Sequence, residues 1–118
     1  MVGDISVVKN IYIAVGYTDM RMSIDGLASL VQEKFQCSPY KSAIFVFCGR
    51  KSDRIKILMW EETGFVLLYK RLENGKFIWP RNKEELKPVT WQQFNWLMSG
   101  LKMEQKLSIQ PANPGAIC

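Results

Sequence analysis

Residues 54–72 read Arg-Ile-Lys-Ile-Leu-Met-Trp-Glu-Glu-Thr-Gly-Phe-Val-Leu-Leu-Tyr-Lys-Arg-Leu. Two runs rich in aliphatic and aromatic residues, 54–60 and 65–72, flank the turn Glu61-Glu62-Thr63-Gly64. Such runs favour extended chain, and strands joined by so short a link run antiparallel. A four-residue turn pairs Trp60 with Phe65, Leu58 with Leu67, Lys56 with Tyr69 and Arg54 with Arg71. Side chains alternate between the faces of a strand, so this register sorts the hairpin into two unlike surfaces.

Working outward, Asn74-Gly75 is the strongest short hairpin signal in the chain, because a type I′ turn needs positive φ at both positions. It predicts a further strand over 76–79, ended by Pro80, with Leu72 opposite Phe77, Arg71 opposite Ile78 and Lys70 opposite Trp79. Upstream, residues 43–48 are nearly all apolar and read as a strand, with a loop over 49–53. Residues 11–15 form another short buried strand, followed by a turn over 16–19. Ile24, Leu27, Ala28, Val31 and Phe35 lie at helical spacing and predict a helix over 23–36. Ser23 is its N-cap, Gly26 weakens it, and Ser38-Pro39 stops it. A second helix opens at Thr90, where Thr90-Trp91-Gln92-Gln93 fits a capping box, and it carries the stripe Phe94, Leu97, Met98 and Leu101.

The fold class is therefore α+β: an antiparallel β-meander of four to five strands, with one helix before and one after, packed on one sheet face. Residues 1–107 are expected to form a single compact domain. Residues 108–118, with two prolines, a glycine and no charge, are expected to be a loose tail.

The register gives one face Ile55, Ile57, Met59, Val66, Leu68, Leu72, Phe77 and Trp79, a core surface on which Lys70 is the misfit. The other face carries Arg54, Lys56, Leu58, Trp60, Phe65, Leu67, Tyr69, Arg71 and Ile78, basic and aromatic together. Arg54 directly opposite Arg71 is expected to be destabilising without an anion between them. Three readings fit that face: nucleic acid, which brings both phosphates and stackable bases; a protein partner, since Trp, Tyr and Arg are enriched at interfaces; and a partly covered structural surface.

The 118 residues, 47% hydrophobic and 23% charged, suit one globular domain. No apolar run approaches the ~20 residues of a membrane span, and the N-terminal segment lacks a signal-peptide pattern, so a cytoplasmic location is expected. The chain has no histidine, which removes Ser-His-Asp and Cys-His catalysis and histidine metal sites. Cys37, Cys48 and Cys118 are odd in number and have no C-x-x-C spacing, so neither a disulfide framework nor a zinc site is expected. The net charge is +5, and residues 41–83 hold 10 basic against 4 acidic groups, a local +6. A localised excess of this kind points to a polyanion partner, nucleic acid first, or to plain solubility.

The candidate nucleic-acid contacts are Arg50, Lys51, Arg54, Lys56, Tyr69 and Arg71, and the candidate partner contacts are Trp60, Trp91 and Trp96. The segment Gly16-Tyr17-Thr18-Asp19-Met20-Arg21 joins a strand to a helix, where a phosphate could sit. Asp19 opposes that, and turn chemistry with Asp19 paired to Arg21 is the favoured reading. The acids Asp19, Asp25, Asp53, Glu61, Glu62, Glu73, Glu84 and Glu85 show no spacing that converges on a metal, so no catalytic residue and no cofactor are assigned.

Several strings occur in order: Tyr12-Ile13-Ala14-Val15-Gly16-Tyr17-Thr18-Asp19-Met20-Arg21, Ile24-Asp25-Gly26-Leu27-Ala28, Phe45-Val46-Phe47-Cys48-Gly49-Arg50-Lys51-Ser52-Asp53-Arg54-Ile55-Lys56, Gly64-Phe65-Val66-Leu67-Leu68-Tyr69-Lys70-Arg71-Leu72-Glu73-Asn74-Gly75-Lys76-Phe77 and Trp79-Pro80. Together they resemble the TnpB-type accessory protein encoded by the second reading frame of the IS-sixty-six class of bacterial insertion sequences, over about residues 11–107. Met22, where Lys or Arg is common, and Ile57-Leu58-Met59, where a further aromatic is frequent, depart from that pattern. The resemblance implies a non-enzymatic accessory role in DNA transposition in the bacterial cytoplasm, beside a separate transposase. It supplies no catalytic residues. Element-end DNA and the transposase are the implied partners, with a protein adaptor that never touches DNA as the alternative.

Overall fold

The computed structural model describes residues 2–105. In chain order the elements are β1 (Asn10–Ala14), α1 (Ile24–Ser29), β2 (Ala43–Cys48), β3 (Arg54–Glu61), β4 (Gly64–Arg71), β5 (Leu86–Val89) and α2 (Trp91–Met98). The strands form one sheet in the order β4-β3-β2-β1-β5. The β3–β4 hairpin has the register its turn predicts, with Trp60 opposite Phe65, Leu58 opposite Leu67, Lys56 opposite Tyr69 and Arg54 opposite Arg71. β2 pairs antiparallel with β3, so β2-β3-β4 is a meander. β1 lies parallel to β2, which requires a crossover, and α1 is in it.

One expectation fails at the edge of this sheet. Residues 76–79 form no strand, because Asn74 keeps a negative φ while Gly75 sits at +84°, which is not a type I′ turn. The chain instead crosses beneath the sheet. Leu72 N–H donates to Asp53 O at 2.6 Å and Phe77 N–H to Ser52 O at 2.7 Å, and Phe77 and Trp79 are buried. The Trp79 indole N–H donates to Ala14 O at 2.9 Å. The fifth strand is β5, antiparallel to β1, a short edge segment in which Pro88 is tolerated.

The helices also do not share a face. One core joins Ile11, Ile13, Ile44, Val46, Ile55, Ile57 and Met59 to Phe77 and Trp79 and to Phe94 and Leu97 of α2. The other joins Tyr12, Ala14, Phe45, Phe47 and Leu58 to Leu27 and Ala28 of α1 and to Val31. The cause is visible in β1 and β2, where apolar residues stand at successive positions rather than at alternate ones. Such strands need cover on both sides. Tyr12 and Phe45 stack on the α1 side, with ring centroids 5.4 Å apart.

α1 begins behind Ser23, whose side chain makes no capping bond, and from Leu30 to Lys34 it loosens into a π turn before Gln36 ends it at φ +51°. Leu27, Ala28 and Val31 are buried, as the spacing predicts. α2 carries the expected capping box: Gln93 N–H donates to Thr90 Oγ1 at 3.0 Å, and Thr90 N–H donates to Gln93 Oε1 at 2.9 Å. The expected tail, 108–118, lies outside the described residues. No helix among the described residues is long and apolar enough to cross a membrane.

Leu58 tests this two-sided arrangement. It belongs to the face expected to be open, yet it is fully buried beneath α1. Leu58→Ala is expected to lower the free energy of unfolding by about 2–5 kcal/mol in urea denaturation, whereas a surface leucine would cost under ~0.5 kcal/mol.

Candidate nucleic-acid interface

The parallel pairing of β1 and β2 sends both chains out at the same end of the sheet. The segment after β1 and the loop after β2 are tied there by Thr18 N–H donating to Cys48 O at 2.9 Å. The second loop is tightened by Ser52 N–H to Gly49 O at 3.0 Å, with Ser52 in the left-handed region at φ +60°. Between the two lies an open cleft of about 480 Å³ lined by Tyr17, Asp19, Arg21, Arg50, Lys51 and Arg54.

Tyr17, 45% exposed, is the aromatic centre of this cluster. The Arg81 guanidinium carbon lies 3.9 Å from its ring centroid and that of Arg50 6.0 Å away. Arg81 also donates to the Tyr17 hydroxyl and to Ser52 Oγ. Arg21 pairs with Asp19 at 2.8 Å, as the turn reading expects, and its hydrogen bond pulls the Asp19 carboxyl down to about 2. Arg54 pairs with Asp53 at 2.9 Å, which lowers the Asp53 carboxyl and raises the Arg54 guanidinium. Among the described residues, no carboxylate lies within ion-pair reach of Arg50, Lys51 or Arg81.

The structure divides the expected basic-aromatic face. α1 covers its middle, where Leu58 is buried and Phe65 and Leu67 pack against the helix-side core. At one end, Arg54 stands opposite Arg71 without needing a shared anion, because Asp53 pairs with the first and Glu73 with the second at 3.1 Å. Lys56 is turned inward. Its Nζ donates to Met22 O at 2.7 Å and lies 5.6 Å from the centroid of the Tyr69 ring, itself 54% exposed. At the other end, Trp60 meets Tyr40 and Phe65 edge-on, with centroids 5.0 and 4.9 Å away. Ile78 is exposed on the crossing segment rather than on a strand.

Arg50, Lys51 and Arg54 thus come together in one cleft, with Lys56, Tyr69 and Arg71 beside it along the hairpin. Trp60, Trp91 and Trp96 do not converge. Trp91 stands edge-on to Phe94 at 5.5 Å on α2, which packs on the opposite side of the sheet from α1. Sequence patterning placed Tyr17 only within a segment read as a turn in preference to a phosphate site, and did not single out Arg81. A tyrosine following a glycine turn was the one available signal for the first. Nothing local marked Arg81, which arrives through the crossing segment. The Cys48 thiol is buried, and desolvation pushes it up to about 11, which makes it a poor nucleophile. Among the described residues, no three Asp, Glu, Cys or His side chains gather where they could hold a metal.

The Asp19–Arg21 pair makes a pH prediction. Because the folded carboxyl titrates below its ordinary 3.8, the pair's contribution is complete above about pH 4 and is lost as pH falls toward 2. An NMR titration is expected to place the Asp19 midpoint near 2 and to return it toward 3.8 in Arg21→Ala.

Comparison with known proteins accords with the family resemblance. The family model described as IS66 Orf2 like protein matches residues 9–108. Two proteins of Sinorhizobium fredii (strain NBRC 101917 / NGR234), "Uncharacterized protein y4hO" and "Uncharacterized protein y4jC", are each 35% identical over 91 residues. The alignments cover 77% of this chain, with 79% of the first protein and 78% of the second. No solved structure matches. With its matched span running from β1 to beyond α2, the chain belongs to the IS66 Orf2-like family.

Proposed function

We propose that this chain is a non-enzymatic accessory factor for transposition of an insertion sequence, and that it binds DNA of the element ends through the cleft at the carboxyl ends of β1 and β2. The observation that carries the reading is the set of cations around Tyr17. Arg50, Lys51 and Arg81 have no carboxylate partner among the described residues, and Arg21 and Arg54 stand beside them. Cations left without carboxylate partners at or beside a concave site attract a polyanion, and guanidinium groups suit phosphate oxygens. In this reading Arg50, Lys51, Arg54 and Arg81 contact phosphates, Arg71 extends the track, and exposed Tyr69, backed by Lys56, offers a ring for stacking. The protein works in the bacterial cytoplasm as a single domain spanning residues 1–107, beside a separate transposase.

A protein adaptor is the second reading. The Tyr40, Trp60 and Phe65 cluster favours it, since Tyr40 is exposed and such aromatics anchor interfaces. Trp91 and Trp96 would then belong to a separate contact on α2.

Salt separates the two. Neutralising ~5 phosphates gives a log–log slope near −4.5, so a fourfold rise in salt is expected to weaken binding of a terminal-repeat duplex roughly several-hundred-fold. Arg50→Ala/Lys51→Ala is expected to make that slope shallower by about 2. Fluorescence anisotropy at two salt concentrations reads both quantities. No binding at low salt would end the DNA reading in favour of the adaptor.

A further inference from the structure

The cleft is small, and its surroundings are of two kinds. At about 480 Å³ it has the size of a small-ligand pocket, formed by Arg50, Lys51 and Arg54 of one loop and residues 17–21 of the other. A second hollow of about 120 Å³ adjoins it and shares Tyr17, Thr18 and Asp19 with it. Apolar side chains line much of this hollow, among them Met22, Leu30 and Phe35, and its charged groups Lys34 and Glu84 neutralise each other at 2.9 Å. The exposed ring of Tyr17 thus stands where a cationic cleft meets an apolar hollow.

A nucleotide has the same two-part chemistry, a charged phosphate and a flat base with an apolar face. In a closed duplex that face is covered by its stacked neighbours, and the phosphates lie on the outside of a convex cylinder. A duplex can offer its backbone to the cations but can put nothing into the hollow. A single strand can do both. The Tyr17 ring leaves room for it. Arg81 packs against the ring at 3.9 Å, whereas Arg50 stands 6.0 Å from it on an exposed side chain that can move aside for a base and stack on it.

We infer that the DNA this cleft takes is a single strand, with its phosphates against Arg50, Lys51 and Arg54 and one unstacked base against Tyr17 and the apolar hollow. The inference rests on the DNA reading and narrows it. A frayed or single-stranded end is the preferred ligand, and closed duplex binds the same cations more weakly. Stacking accepts any base, so the site is tolerant of sequence.

Fluorescence anisotropy on the full chain tests it, with a labelled single strand of ~12 nucleotides and the duplex of the same sequence in one low-salt buffer. Charge alone favours the duplex, whose phosphates are more densely spaced. The single strand is nevertheless expected to bind about tenfold tighter. Tyr17→Ala is expected to weaken single-strand binding about tenfold and duplex binding by less than about twofold. Tyr17→Phe keeps the ring and loses the hydroxyl that Arg81 contacts, and is expected to bind the single strand like the wild type. Because Tyr17 is partly exposed, both variants are expected to keep the wild-type circular dichroism spectrum. Duplex bound as tightly as the single strand overturns the inference and leaves the DNA reading standing. So does a single-strand preference that survives Tyr17→Ala, or a Tyr17→Phe variant as weak as Tyr17→Ala, which would assign the loss to Arg81 and not to stacking. Binding of neither DNA overturns both.

Discussion

The side-by-side, parallel pairing of β1 and β2 is the constraint on which the rest of the structure depends. Both strands are buried along almost their whole length, on both faces. Backbone amides in such a place must be paired, and the side chains must be covered above and below. A single layer of helices cannot do this. α1 therefore takes one side and α2 the other, and the segment holding Phe77 and Trp79 fills what α2 leaves open.

The same pairing creates the candidate site. Parallel strands end at the same edge, and loops at the carboxyl ends of neighbouring parallel strands are a recurrent place for ligands. Here the two exits bring Tyr17 and Arg21 from one loop beside Arg50, Lys51 and Arg54 from the other. The crossing segment adds Arg81 from a third direction. Three stretches far apart in sequence thus place positive charge around one tyrosine.

The parts legible in the sequence were those set by local rules. A four-residue turn fixes the register of β3 against β4, and Thr90 with Gln93 fixes the start of α2. The class of the fold and the meander of β2, β3 and β4 follow from patterning. What stayed hidden was set at a distance. Asn74-Gly75 carries a strong local preference for a hairpin, but burying Phe77 and Trp79 under the sheet outweighs it. Leu86 to Val89 contains a proline and no alternation, so only its neighbour β1 makes it a strand. Alternation placed Leu58 on one face of the hairpin, but it could not show that α1 lies over it. The cations of the 49–54 region were evident from composition, whereas their grouping around Tyr17 depends on the parallel pairing, which no turn signal announces.

The two hydrogen bonds that hold the crossing segment have an effect on how the chain can change length. Leu72 and Phe77 are each fastened to the 52–53 backbone, and residues 73–76 between them are exposed. The fold depends on the two fastenings and on the buried rings that follow, not on how many residues span the gap. Doubling a loop costs only about 0.6 kcal/mol in closure entropy. Residues 73–76 are thus the point at which this small domain can accept an insertion, a purification tag or a reporter dye, outside both the sheet and the cleft.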